Sequence, residues 1–226
     1  MEKFKNLHKS IYTKYLTLKS HSNHKKMNIK SIAKMALPIL MLCSIIGCKK
    51  DETLKVFTLS SADITDVFKD ENFGNGFNGC TGDNKSPQLR WENAPAGTKS
   101  FAITLVDINA FGPGVSFDHW MVINIPPTTN SLDKDAGNIS GTSLPNGAIQ
   151  TPNGAAAFDV PANAAFYKAF AGVCPNVGNT NQYEITVFAL NVASLPVSET
   201  AASSEVKTAI ASAVISSTKM SVTASR

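Results

Sequence analysis

The residue best placed to do chemistry in this sequence sits at the lip of an apolar run. In VSFDHWMVINIP, residues 115–126, an aromatic, an acid, a histidine and a tryptophan lead into a stretch that reads as a buried strand. A titratable imidazole there is either a strand-capping core residue or part of a site. Three of the four histidines, His8, His21 and His24, lie in the N-terminal segment, so His119 is the only imidazole in the rest of the chain. A His-rich zinc site is thereby excluded, and no metal or cofactor is expected.

That N-terminal segment has a targeting character. Residues 1–34 carry nine lysines and one acid, Glu2, and the apolar run MALPILMLCSIIGC follows. A basic region, about a dozen apolar residues and a small residue before a cysteine describe a secretory signal, too short to span a membrane comfortably. Ile45-Ile46-Gly47-Cys48 looks like the site at which bacterial lipoproteins are cut and lipidated. Residues 1–47 are therefore expected to be a signal peptide, with Met27 an alternative start, and Cys48 the lipidated residue. Residues 48–56 form a polar tether, and residues 57–226 a single domain. The expected location is the cell envelope, lipid-anchored to the outer membrane and facing either the periplasm or the surface.

Cleavage inverts the charge balance. The whole chain has 21 basic and 17 acidic residues, net +4, whereas the part from Cys48 onward has 12 and 16, net −4. Its basic character belongs to the signal, and no basic patch interleaved with aromatics follows, which excludes nucleic acid as a partner. Cys80 and Cys174, in the loop-like contexts NGCTG and GVCPN, can form a disulfide in an oxidising compartment; two separate thiols are the alternative. No CxxC spacing suggests a redox or metal site.

Strands must position these residues. LKVFTLSSAD alternates as a half-buried strand does, and SFAITLVDI (100–108), HWMVINIP (119–126) and NQYEITVFALNV (181–192) suit buried central strands. Pro126-Pro127 stops the second of these. Gly, Asn, Pro and Ser crowd residues 72–88, 109–116, 126–164 and 172–181, and about 130–165 shows almost no periodicity. Val206, Ile210, Ala213 and Val214 at helical spacing predict a helix over about 201–215, followed by a short strand KMSVTAS. The pattern is one mainly antiparallel β domain with a late helix.

Four fragments, SPQLRWENAPAGTKSFAITLVDINA, DHWMVINIP, AGVCPNVG and NQYEITVFALNVASL, occur in order and together resemble the phosphatidylethanolamine-binding protein (PEBP) family, in particular its bacterial, kinase-inhibitor-like branch. The likeness runs from about Thr58 to Arg226. It implies a PEBP-like fold, two antiparallel Greek-key sheets with a short C-terminal helical portion, and a pocket for phosphate, phosphoethanolamine-like groups or carboxylates. The resemblance assigns that pocket to Asp107, His119, Phe117, Gly172, Cys174, Pro175 and Tyr183, supported by Ser86, Pro87 and Trp91. Asn109 replaces the family's second aspartate, and Asn181 stands where it has a second histidine, removing a donor and part of the positive charge.

On this reading Asp107 holds His119 through a ring N–H and raises its pKa, while Tyr183 and the backbone N–H groups of residues 172–175 complete an anion nest. In a site of this kind the other nitrogen of His119 donates, as does the Asn181 amide. Trp91 and Trp120 are expected in the core, and Asp118 in solvent. Tyr183 reads equally as a core residue with its hydroxyl at the rim. The resemblance implies a binding protein for a small anion or phospholipid head group. The alternative is an inhibitor that engages an envelope or secreted hydrolase. A hydrolase built on Asp107 and His119 is a third reading, weakened by the lack of a Gly-x-Ser-x-Gly elbow.

Overall fold

The continuous apolar runs become the middle of the larger sheet. The computed structural model describes residues 55–158 and 167–226; the signal segment, Met27 and Cys48 lie outside the described residues. The strands are β1 (Thr58–Ser60), β2 (Leu89–Glu92), β3 (Ser100–Asp107), β4 (Phe117–Ile125), β5 (Ser131–Leu132), β6 (Ile149–Gln150), β7 (Thr180–Leu190) and β8 (Val214–Ser225), with helix α1 at Ser203–Ala213. One sheet has the order β1-β2-β5 and the other β6-β4-β3-β7-β8, with antiparallel pairing throughout. The protein is mainly β with two antiparallel sheets and a short C-terminal helix, as the sequence predicts.

Three layers explain why β3 and β4 lack alternation. On one face, Phe101, Ile103, Leu105, Trp120 and Val122 pack with Leu89, Trp91 and Leu132 of the small sheet. On the other, Ala102, Met121 and Ile123 meet Val206 and Ile210 of α1. Strands covered on both faces must be apolar at consecutive positions. Trp91 and Trp120, at 1% and 0% exposure, are core residues as expected.

The differences from expectation lie where local pattern is weakest. The first alternating stretch pairs over only three residues, and β2, the four residues LRWE, carries no run long enough to announce it. The unpatterned insert contributes β5, β6 and a 3-10 turn, Gly154–Phe158. β8 begins at Val214, directly after α1, five positions before the expected KMSVTAS. Its first half, VISSTK, lies at the sheet margin and is largely exposed, so burial imposes no hydrophobic alternation there.

Candidate ligand-binding site

A register fault in β4 aims the histidine. Leu105 pairs with Trp120 and Val106 with Asp118, so His119 is an extra residue with no partner on β3. This is a β-bulge, a device that redirects a side chain. Its cause is a conflict of parity. Trp120 and Val122 belong to the face toward the small sheet, whereas Asp118, two residues before Trp120, ion-pairs at 2.5 Å with Lys207 on α1. In a regular strand Asp118 and Trp120 would share a face. The inserted residue reconciles them, and His119, which would otherwise share the helix-side face of Met121 and Ile123, turns toward Phe117 and Tyr183. The ring centroids lie 4.7 Å from Phe117 and 5.3 Å from Tyr183.

Asp107, Phe117 and Tyr183 stand side by side because β3 pairs Asp107 with both of the others. Asn181, two residues before Tyr183, therefore shares its face. These side chains border a cleft of ≈ 640 Å³, walled further by Phe77, Asn78, Phe111, Tyr167, Gly172 and Cys174. Asp107, His119, Asn181 and Tyr183 form its polar floor, at 2%, 6%, 8% and 0% exposure.

The hydrogen bonds differ from expectation in a consequential way. His119 does not give its ring N–H to Asp107. Nδ1 faces the Ala171 carbonyl at 2.6 Å, and because a carbonyl only accepts, Nδ1 carries the hydrogen. Asp107 instead accepts from Asn181 Nδ2 at 2.7 Å and from the Asn109 N–H at 3.0 Å. The His119 pKa is lowered rather than raised: desolvation by burial outweighs the opposing effects of the Ala171 hydrogen bond, Asp107 and Asp118. The Tyr183 hydroxyl lies beside Asp107 with no well-formed hydrogen bond. Burial first, and the Asp107 charge second, push its pKa above the ordinary phenol value.

Two of the loop amides expected in the nest are committed elsewhere. Gly172 N–H donates to Asn84 Oδ1 at 2.7 Å and Val173 N–H to the Asn72 carbonyl at 3.1 Å, while proline has no N–H. Pro175 is buried and does not line the cleft, whereas Cys174 and Gly172 do. Asp118, expected in solvent, is 7% exposed and paired with Lys207. Ser86 supports the fold as expected by accepting from the Gly137 N–H at 2.9 Å, and Pro87 beside it is buried.

The wall at residues 170–174 is held by the expected Cys80–Cys174 disulfide and by Asn84, which the sequence did not single out. Asn84, with φ 57°, accepts from Gly172 and donates to the Phe170 carbonyl at 2.9 Å. A side chain at Gly172 would collide with the backbone of Gly74. The disulfide joins Cys80 to Cys174 across a Cα separation of 6.1 Å and ties the two loops together. The Arg226 guanidinium covers it, 3.2 and 3.3 Å from the two sulfurs. The Asn-Gly richness of residues 71–84 marks turns, but nothing local shows that they close on residue 172.

Comparison with known proteins identifies the family and the fold. A family model described as Phosphatidylethanolamine-binding protein matches residues 64–225. The Escherichia coli protein YbcL is 42% identical over 120 residues, 53% of this chain and 60% of YbcL's own length. Its crystal structure, described as that of a new member of the mammalian PEBP family, covers 75% of this chain and 98% of that one, with a TM-score of 0.67 and 34% identity. A Mycobacterium tuberculosis protein carrying the lipoprotein name LppC is 30% identical over 115 residues, 50% of this chain and 47% of that protein.

Proposed function

Because the chain belongs to the phosphatidylethanolamine-binding protein family, we propose that it is a lipid-anchored, extracytoplasmic binding protein whose cleft receives the acidic group of a small ligand at His119. Phosphate, phosphoethanolamine-like groups, a phospholipid head group and carboxylates are the candidate chemistries. The observation that carries this reading is the bulge. It turns the imidazole into the cleft with Nδ1–H committed to Ala171, and no described protein group bonds Nε2. A ligand oxygen can take up that nitrogen once it is protonated, and the buried Tyr183 hydroxyl supplies a second donor. Since the free imidazole favours its neutral form, the anion must bind together with a proton. The lipobox ending at Cys48, together with the lipoprotein name of the mycobacterial relative, supports the anchor.

A second reading, an inhibitor that docks on another envelope protein, is favoured by Phe77, Phe111 and Val177 at 71%, 60% and 76% exposure near the cleft mouth. For a triad hydrolase, no serine is among the described residues lining the cleft.

Following the His119 ring signals by NMR while titrating phosphate and acetate tests the proposal. Millimolar ligand is expected to shift them, and His119→Ala to abolish binding. A silent imidazole with co-purification of an envelope protein that survives His119→Ala would favour the inhibitor. Ester or phosphoester turnover lost in His119→Ala would favour the hydrolase. Processing that is blocked by globomycin and lost in Cys48→Ser is the expected signature of the anchor.

A further inference from the structure

The disulfide that ties the cleft wall to the loop opposite has a cation built against it. Arg226 Nη1 lies 3.2 Å from Cys80 Sγ and 3.3 Å from Cys174 Sγ, and donates to the Asn78 carbonyl at 2.6 Å. A neutral disulfide needs no counter-charge. Yet this half-buried guanidinium forms no ion pair among the described residues. A thiolate formed at either sulfur would find its positive partner already in place.

The other side of Cys174 is built differently. The carbonyls of Phe77 and Asn78 stand 3.3 and 4.0 Å from its sulfur. A carbonyl only accepts and a disulfide sulfur carries no hydrogen, so neither contact is a hydrogen bond in the oxidised protein. Reduction would make the nearer one an S–H donating to Phe77. Both reduced sulfurs are thus provided for, and unequally. Two carbonyl oxygens disfavour negative charge on Cys174, whereas Cys80 is left to Arg226. Cys174 also borders the cleft, while Cys80, at 4% exposure, is not among the described residues lining it.

We propose that Cys80–Cys174 is a reversible thiol–disulfide exchange site, opened by a dithiol that attacks Cys174, and that opening frees one side of the cleft mouth. The incoming thiolate bonds to Cys174 Sγ, the Cys80–Cys174 bond breaks, and its electron pair leaves on Cys80 as a thiolate beside Arg226. The reductant's second sulfur, also as thiolate, then displaces Cys174, which takes up a proton and donates it to the Phe77 carbonyl. The dithiol loses two electrons to become its own disulfide; of its two protons, one ends on Cys174 and the other in solvent. A stabilised thiolate leaves faster and favours the reduced form, so Arg226 makes this disulfide easier to reduce.

The remaining bonds determine what moves. Gly172 stays held by Asn84, and Val173 by the Gly74 N–H at 3.1 Å. The loop tip carrying Phe77 is tied across only by the exposed bonds of Asn78, to Asn176 Oδ1 at 2.9 Å and the Cys174 carbonyl at 3.5 Å, and by Arg226. Water competes for exposed bonds of this kind. The wall therefore keeps its place while the tip is released.

Equilibrating the purified protein with reduced and oxidised dithiothreitol, and trapping free thiols by alkylation for mass spectrometry, tests the site. Arg226→Met should need at least a tenfold higher reduced-to-oxidised ratio for half reduction, whereas Arg226→Lys, which keeps the charge, should stay close to the parent. Were Arg226 merely structural, Arg226→Met would loosen the loops and ease reduction; that result, or an unchanged ratio, overturns the proposal. Brief exposure to glutathione should leave its adduct on Cys174, and an adduct on Cys80 overturns the order of attack. Reduction should leave tryptophan fluorescence unaltered while chymotrypsin cuts after Phe77 at least tenfold faster. Altered fluorescence or equal cutting rates overturn the release of the loop tip.

Discussion

The two faces of β4 follow different rules. Toward α1, Met121 and Ile123 pack with Val206 and Ile210, and the one charge on that side, Asp118, is met by Lys207. Toward the cleft, Phe117 and His119 border open space, Nε2 has no described protein partner, and the Tyr183 hydroxyl is buried without one. Buried polar groups left unsatisfied cost stability, and natural proteins keep few of them. The helix-side face therefore stabilises the sheet, while the cleft-side face carries unsatisfied polar groups that the proposed ligand would engage.

Substitutions should separate the two. On the helix side, Met121→Ala or Ile210→Ala is expected to cost about 2–4 kcal/mol in urea unfolding while His119 still responds to ligand. On the cleft side, His119→Gln should change stability little and eliminate the response. If Met121→Ala abolished ligand binding at temperatures where it stays folded, the faces would not be separable.

Lys207→Met has an intermediate effect, because it touches both. It leaves the Asp118 carboxylate buried and unpaired. Lys207 itself is 41% exposed, so water moderates the loss to about 1–2 kcal/mol. The bulge also loses one of its two constraints, so ligand affinity should fall several-fold, with partial recovery when Asp118→Asn is added. Unchanged affinity in Lys207→Met would remove the ion pair from the account of how His119 is aimed.

Gly172→Ala should displace the cleft wall and lower stability as well, since its methyl group would collide with the backbone of Gly74. Weaker ligand binding with unaltered tryptophan fluorescence is the expected outcome. The smallest effect concerns pH. The His119 pKa is lowered in the fold, so below the unfolded value of about 6.5 the unfolded chain takes up a proton that the native one resists. Native stability should thus decline as pH falls from 7 through that value, and the decline should be reduced in His119→Gln.

The sequence made much of this legible. The central strands and the amphipathic face of α1 follow from runs that burial on two sides or one must produce, and they appear within a few residues of expectation. The assembly of Asp107, His119, Phe117, Asn181 and Tyr183 around one cleft matches the family resemblance. What the residues do there was less legible, because it depends on long-range geometry. The bulge is invisible in VSFDHWMVINIP, since a strand buried on both faces shows no parity to break. The His119 partner is a backbone carbonyl at Ala171, fifty-two positions away, and carbonyls carry no residue-specific signal. Asn84 looks like an ordinary loop residue until the chain closes it on Gly172.

The central claim is that His119 binds the ligand's acidic group and takes up a proton as it does so. The most direct measurement is the pH titration of the His119 imidazole by NMR, with and without saturating phosphate. The imidazole is expected to titrate below the ordinary histidine value in the free protein and higher when phosphate is bound, with affinity increasing as pH falls. An imidazole whose titration is the same with and without phosphate would contradict it.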